Sequence, residues 1–174
     1  MNDMVIISVD DHISEPPELF RNHPSGADLE SAPRLERDRN GKDQWVYQGM
    51  KFPSVGLNAV VGRPFEEYGM EPTALEQLRE GCYDVHERIK DMDRMGVDVQ
   101  AVSTSPLQFH YWTPPEVGRQ ITRLVNENIA GMIARYPERF VGLAHVPMQD
   151  GQMAAAELER CVKDLEFRGA EIGT

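Results

Sequence analysis

The chain has 174 residues, is 40% hydrophobic and 27% charged, and carries a net charge of −11. That is ordinary globular composition, enough for a single domain, residues 1–174, with a real core. The acidic balance argues against nucleic acid and against an anionic membrane surface, since both need basic surface on the protein. Met1-Asn2-Asp3-Met4 lacks the basic start of a signal peptide, and no apolar run approaches the ~18 residues of a membrane span. A cytoplasmic chain is expected, with its two cysteines, Cys82 and Cys161, as free thiols.

The first element is an apolar, β-branched run from Val5 that ends abruptly in Asp10-Asp11-His12. Such a run predicts a strand of a parallel sheet, buried on both faces. Side chains alternate along a strand, so Asp10 and His12 share one side and Asp11 takes the other. A carboxylate and an imidazole at the end of a buried strand can reach one divalent ion, with Zn²⁺ placed first and Fe²⁺ or Mn²⁺ as alternatives. The competing reading is a helix cap beside a solvated histidine. A short helix over Pro17–Asn22 follows Glu15 and Pro16.

Residues 21–81 read as one long insertion after the first strand. Its first part, 21–43, is rich in turn formers. Gln44–Tyr47 and Met50–Phe52 flank Gln48-Gly49 as a small hairpin. The stretch 54–81 is a second loop with one helical turn at Thr73–Arg79. An insertion of this length is usually functional.

From residue 83 the pattern becomes regular. Val85, Ile89 and Met92 mark a helix that stops at Gly96. Val97–Ser103 is a strand, followed by a loop containing His110, Tyr111 and Trp112. These three are candidates for the wall of a small-molecule pocket, because aromatics commonly line such sites. Thr113, Pro114 and Glu116 form a helix start with Thr113 as N-cap, and the apolar stripe from Val117 to Tyr136 runs to Pro137. Phe140–Val146 is a third strand, with His145 at its end as a structural histidine. Asp150 caps a third helix with Leu158, Cys161, Val162 and Leu165 inward and Gly169 as its stop. Ala170 to Thr174 opens a fourth strand. Asp98 is expected to be a structural partner near its strand's amino end, and His86 a solvated surface group.

Repeated strand–helix units imply a parallel sheet, either doubly wound or a (β/α)₈ barrel. Neither a Gly-x-Gly-x-x-Gly loop nor a Walker pattern is present, which counts against a nucleotide-binding sheet.

Four stretches carry a resemblance. Ile7 to Phe20, Met92 to Gln100, Asn126 to Ala144 and Val146 to Asp150 resemble, in matching order, the amidohydrolase-related family that includes aminocarboxymuconate-semialdehyde decarboxylase. The resemblance implies an α/β fold: the N-terminal part of a (β/α)₈ TIM-like barrel, here about four strands and three helices, with a mononuclear metal at the carboxyl face. It implies a metal-dependent enzyme that hydrolyses or decarboxylates small carboxylated or aromatic compounds, hydrolysis being placed narrowly ahead. Residue by residue, the family's first ligand pair falls on Asp10 and His12, and many relatives have histidine or glutamate where this chain has Asp10. The remaining histidine ligands and the catalytic aspartate are expected beyond Thr174, so the chain alone is expected to be inactive and to hold substoichiometric metal. An inner sheet face carrying Val9, Val99, Val102 and Leu143, or their alternating neighbours, is expected to drive homo-oligomer formation. The alternative function is a non-catalytic binding or assembly module that keeps the same half-barrel.

Overall fold

The computed structural model describes residues 4–21, 32–52, 64–67 and 74–173. Of the turn-rich stretches predicted at 21–43 and 54–81, residues 22–31, 54–63 and 68–73 lie outside the described residues. Four strands form a parallel sheet in the order β1 (Ile7–Ile13), β5 (Val99–Thr104), β6 (Phe140–Ala144) and β7 (Gly169–Ala170). The helices α2 (Val85–Met95), α3 (Pro115–Ile133) and α4 (Gly151–Asp164) alternate with them. Neighbours in the sheet follow chain order, as short crossovers favour.

The three helices pack on one side of this sheet. Val85 and Met92 of α2, Ile129 of α3 and Cys161 of α4 share one buried cluster with Ile13, Val102, Phe140 and Ala144. A doubly wound sheet would bury helices against both faces, so this one-sided layering is that of a barrel wall. It also places Val102 under the helices, fully buried, so of the two alternating sets the sequence allows for the uncovered face, Val102 belongs to the covered one. On the other face Ile7 and Val9 are exposed.

β1 is irregular at a decisive point. Ser8 pairs with Gln100 and Asp11 with Val102, so Val9 and Asp10 together oppose the single residue Ala101. This bulge resets the alternation. Asp11 and Ile13 turn toward the helices, and Asp10 and His12 turn to the open face, as alternation from Asp10 onward predicts.

The described residues of the insertion carry more regular structure than its composition suggests. The expected hairpin is present as β3 (Asp43–Tyr47) and β4 (Met50–Phe52), joined through Gln48 and Gly49 in positive-φ conformations. A further strand, β2 (Arg34–Arg37), pairs antiparallel with β3 inside the stretch read as irregular. Trp45 and Tyr47 join Phe20 of α1 (Glu18–Arg21) and Ile121, Leu124 and Val125 of α3 in a second core. Thus α3 serves the main sheet with its end and the small sheet with its beginning.

Several boundaries differ from the sequence reading. α3 begins at Pro115 with Pro114 as N-cap, and no side chain caps it. The Thr113 hydroxyl instead donates back to the His110 carbonyl at 2.9 Å. α4 ends at Asp164, and Gly169 lies in β7. Leu158 and Val162 are exposed, while Glu157 takes a buried place on α4 beside Asn126 and Arg160. Gly96 caps α2 in the left-handed region and Asp150 caps α4 through Gln152 and Met153, both as expected. Asp98 accepts from the Ile6 amide at the sheet's amino end, a structural role.

Candidate metal centre

The carboxyl ends of the parallel strands bring Asp10, His12 and Glu171 together. One ligating atom from each lies within 4.8 Å of the others. His12 Nε2 stands 3.5 Å from an Asp10 carboxylate oxygen and 3.7 Å from one of Glu171. The other ring nitrogen, Nδ1, lies 2.9 Å from Ser103 Oγ and 3.0 Å from the Thr104 carbonyl. A carbonyl only accepts, so Nδ1 donates its proton there, and Nε2 is the ring nitrogen that faces the two carboxylates. Three ligating atoms converging in this way could hold a cation between them. The set suits a divalent ion, and the backbone bond to Nδ1 is the arrangement that orients metal-binding histidines.

Glu171 was not singled out from sequence. It follows β7, and its amide donates to the Ala144 carbonyl, which brings it level with the end of β1. The signal was available: it is the acid that follows the fourth strand, at the end where barrel enzymes place their chemistry. Asp10 has an 84% exposed side chain, whereas those of His12 and Glu171 are about one quarter exposed.

Glu15 belongs to the support rather than to the cluster. It is buried, accepts from the Thr104 hydroxyl and from the Ser105 amide, and so ties the exit of β1 to the end of β5. Burial pushes its pKa up to about 7, against the opposing hydrogen bonds from Thr104 and Ser105.

The three aromatic candidates after β5 separate. His110 is enclosed, tilted against Tyr47 at 5.4 Å and hydrogen-bonded to Gln108, with burial pulling its pKa down to about 3. Its backbone is left-handed, φ 48°, and its carbonyl is gripped by Thr113 and by Gln149 Nε2. His110 therefore shapes the loop. Tyr111 reaches the cluster's edge: its hydroxyl accepts from the Gly173 amide at 3.2 Å, and burial followed by the Glu171 charge raises its pKa. Trp112 is 48% exposed and stacks on Phe52 of the small sheet. The insertion thus holds this loop in place.

His145 lies inside, stacked on Phe109 at 5.0 Å and on Tyr111 at 5.7 Å. Neither ring nitrogen has a hydrogen-bond partner, and burial lowers its pKa to about 4. Its backbone is clamped from both sides by the Asn126 side chain. It is a structural group, as expected. His86 is exposed and meets the Tyr136 hydroxyl.

Comparison with known proteins bears on the fold and the family. The chain is 35% identical over 98 residues to the 2-amino-3-carboxymuconate-6-semialdehyde decarboxylase of Dictyostelium discoideum, covering 56% of this chain and 27% of that enzyme. A 5-carboxyvanillate decarboxylase from Novosphingobium aromaticivorans, solved with manganese, is 28% identical at a TM-score of 0.52, over 55% of this chain and 28% of that one. A dihydroxybenzoic acid decarboxylase from Polaromonas sp. JS666, also solved with manganese, matches 95% of this chain and 37% of its own length, with a TM-score of 0.59 at 23% identity. The last comparison concerns the fold alone, and the fold is that of the amidohydrolase barrel. The chain spans about a quarter to a third of the length of these relatives. The amidohydrolase family model matches residues 79–174, more than half of the chain, and the chain belongs to that family.

Proposed function

We propose that this chain supplies the first metal-binding face of a divalent-metal-dependent carboxy-lyase acting on a small aromatic or carboxylated compound. The observation that carries the reading is the convergence of Asp10, His12 and Glu171 at the carboxyl ends of the strands. Asp10 and His12 would hold the ion with Glu171 as a third donor, and three protein ligands is the usual number in a catalytic site. A set of two carboxylates and one imidazole accommodates Mn²⁺ as well as Zn²⁺, and the manganese in the related decarboxylase favours the former here. When bound, such an ion polarises a substrate carboxylate or phenolate oxygen. The kinship with decarboxylases moves the balance from hydrolysis to decarboxylation.

The chain's own residues prepare this site. Thr104 holds the His12 tautomer, Glu15 locks the two strand ends together, and Tyr111 stands beside Glu171. The exposed face of Trp112 offers a stacking surface for an aromatic ring. The expectation of substoichiometric metal rested on two ligands; with Glu171 as a third donor, we expect the chain to bind Mn²⁺.

Titration of the purified chain with Mn²⁺, followed by electron paramagnetic resonance, tests the reading. The Asp10→Ala, His12→Ala double variant should lose the bound signal; equal binding by both proteins would overturn it. Exposed Met4, Val5 and Ile6 before β1 and Ile7 and Val9 within it support self-association in a cytoplasmic setting. Light scattering that returns a stable 19.7 kDa monomer would exclude the homo-oligomer.

A further inference from the structure

We propose that Arg88 is a positioning residue for the metal-binding face, closing with Gln100 and Asp11 a hydrogen-bonded ring around the peptide that carries His12. The proposal rests on the reading of Asp10 and His12 as ligands. Arg88 Nη2 donates to the His12 carbonyl at 2.8 Å, and Arg88 Nε donates to Gln100 Oε1 at 2.8 Å. Gln100 Nε2 donates to Asp11 Oδ1 at 2.9 Å. Asp11 and His12 are consecutive, so three side chains bracket one peptide unit. They do so from the helix side of β1, opposite the face on which Asp10, His12 and Glu171 meet.

The strand needs such support at this place. Among the described residues β1 pairs on one side only, with β5. That pairing is interrupted by the bulge between Ser8 and Asp11, where the ladder loses regular hydrogen bonds. The ring sits where the ladder resumes, one residue before His12. Its anchor is α2, which Val85 and Met92 fix in the main core. The height and tilt of the His12 peptide are thus set by the helix layer as well as by the neighbouring strand.

The energetics point the same way. The guanidinium is desolvated, and both Arg88 Nη1 and Asp11 Oδ2 are buried without a hydrogen-bond partner. An incompletely satisfied buried charge is a poor source of stability, and an apolar side chain of similar volume is often as good or better. A purely structural ion pair would also join Arg88 to Asp11 directly. Here the amide of Gln100 lies between them, and the arginine fork spends a donor on a backbone carbonyl next to a ligand.

The test compares Arg88→Met, Arg88→Lys and a core control, Met92→Ala, in the whole 174-residue chain. Long-range ¹⁵N–¹H spectra of the metal-free protein read the His12 tautomer directly. The wild type should show Nδ1 protonated and Nε2 bare. Arg88→Met should show a mixture of tautomers and bind Mn²⁺ at least tenfold more weakly. Met92→Ala should lower the melting temperature yet leave the tautomer unchanged and Mn²⁺ affinity within twofold. Arg88→Lys keeps the charge but cannot reach Gln100 and His12 together, so it should be intermediate, and it carries the test if the methionine variant does not fold. A wild-type tautomer in both Arg88 variants, or an equal disturbance in Met92→Ala, would overturn the proposal. If the wild type binds no Mn²⁺ through Asp10 and His12, the metal reading fails, while the tautomer comparison still decides the role of Arg88.

Discussion

Replacing Glu15 by glutamine should make the chain's stability less sensitive to pH. Glu15 is enclosed at the exit of β1, and burial moves its carboxyl from 4.5 to about 7. Below pH 4.5 the folded and unfolded chains both hold the proton, and the group adds no pH dependence. Between pH 4.5 and 7 the folded chain keeps a proton that the unfolded chain has released, so stability falls as pH rises. At ~1.4 kcal/mol per pH unit the whole interval amounts to ~3 kcal/mol, all of it present as a penalty above pH 7. Glutamine keeps an oxygen to accept from Thr104 and Ser105 and cannot ionise. Urea unfolding of both proteins from pH 4 to pH 8 measures the effect. Their difference isolates Glu15, because the buried histidines contribute equally to each. The variant should match the wild type near pH 4 and exceed it by ~3 kcal/mol at pH 8. A difference that does not change with pH would show that Glu15 titrates alike in the folded and unfolded chains, the hydrogen bonds offsetting burial.

The buried histidines give the opposite slope. His145, depressed to about 4, is neutral when folded but protonates below 6.5 when unfolded, so the wild type loses stability as pH falls from 6.5 toward 4; His145→Phe keeps the stack and should flatten that part of the urea profile, and an unchanged slope would refute it. Glu171→Gln should weaken Mn²⁺ binding by an order of magnitude or more in the resonance titration, and wild-type affinity would remove Glu171 from the site. In Gly173→Ala the new methyl would lie 2.7 Å from Phe109 Cδ2, with Tyr111 close behind. Overpacking there should destabilise the chain by ~1–3 kcal/mol and alter the near-ultraviolet aromatic signal, and a neutral result would show that the aromatic stack can shift freely.

Much of the fold was legible because its signals are local. The stripe of Val85, Ile89 and Met92, the left-handed Gly96 and the Asp150 cap depend on a few neighbouring residues and survive in the structure. What failed depended on contacts distant in sequence. Thr113 has the chemistry of an N-cap, but the left-handed His110 places a carbonyl within its reach, and Gln149 arrives from beyond β6 to bond both. Likewise β2 has a charged, turn-flanked sequence that becomes a strand only because Trp45 and Tyr47, across the small sheet, are buried against α3.

The candidate site divides along the same line. Asp10 and His12 are two residues apart on one strand, so alternation alone puts them on one face. Alternation carried back across Asp10 would have misplaced Val9 and Ile7, because the bulge is set by pairing with β5 and leaves no mark in the local sequence. Glu171 is separated from His12 by three strand–helix units, and only its place after the fourth strand sets it apart from a surface acid. Only the closure of neighbouring parallel strands brings it within 3.7 Å of the imidazole. Arg88 illustrates the limit further: at its place on α2 it reads as one more helix-surface charge, yet its fork reaches through the layer to the His12 carbonyl. Residues that touch the proposed ion were therefore partly visible as types at strand ends. Those that aim them were not, because their role follows from which element lies behind the strand.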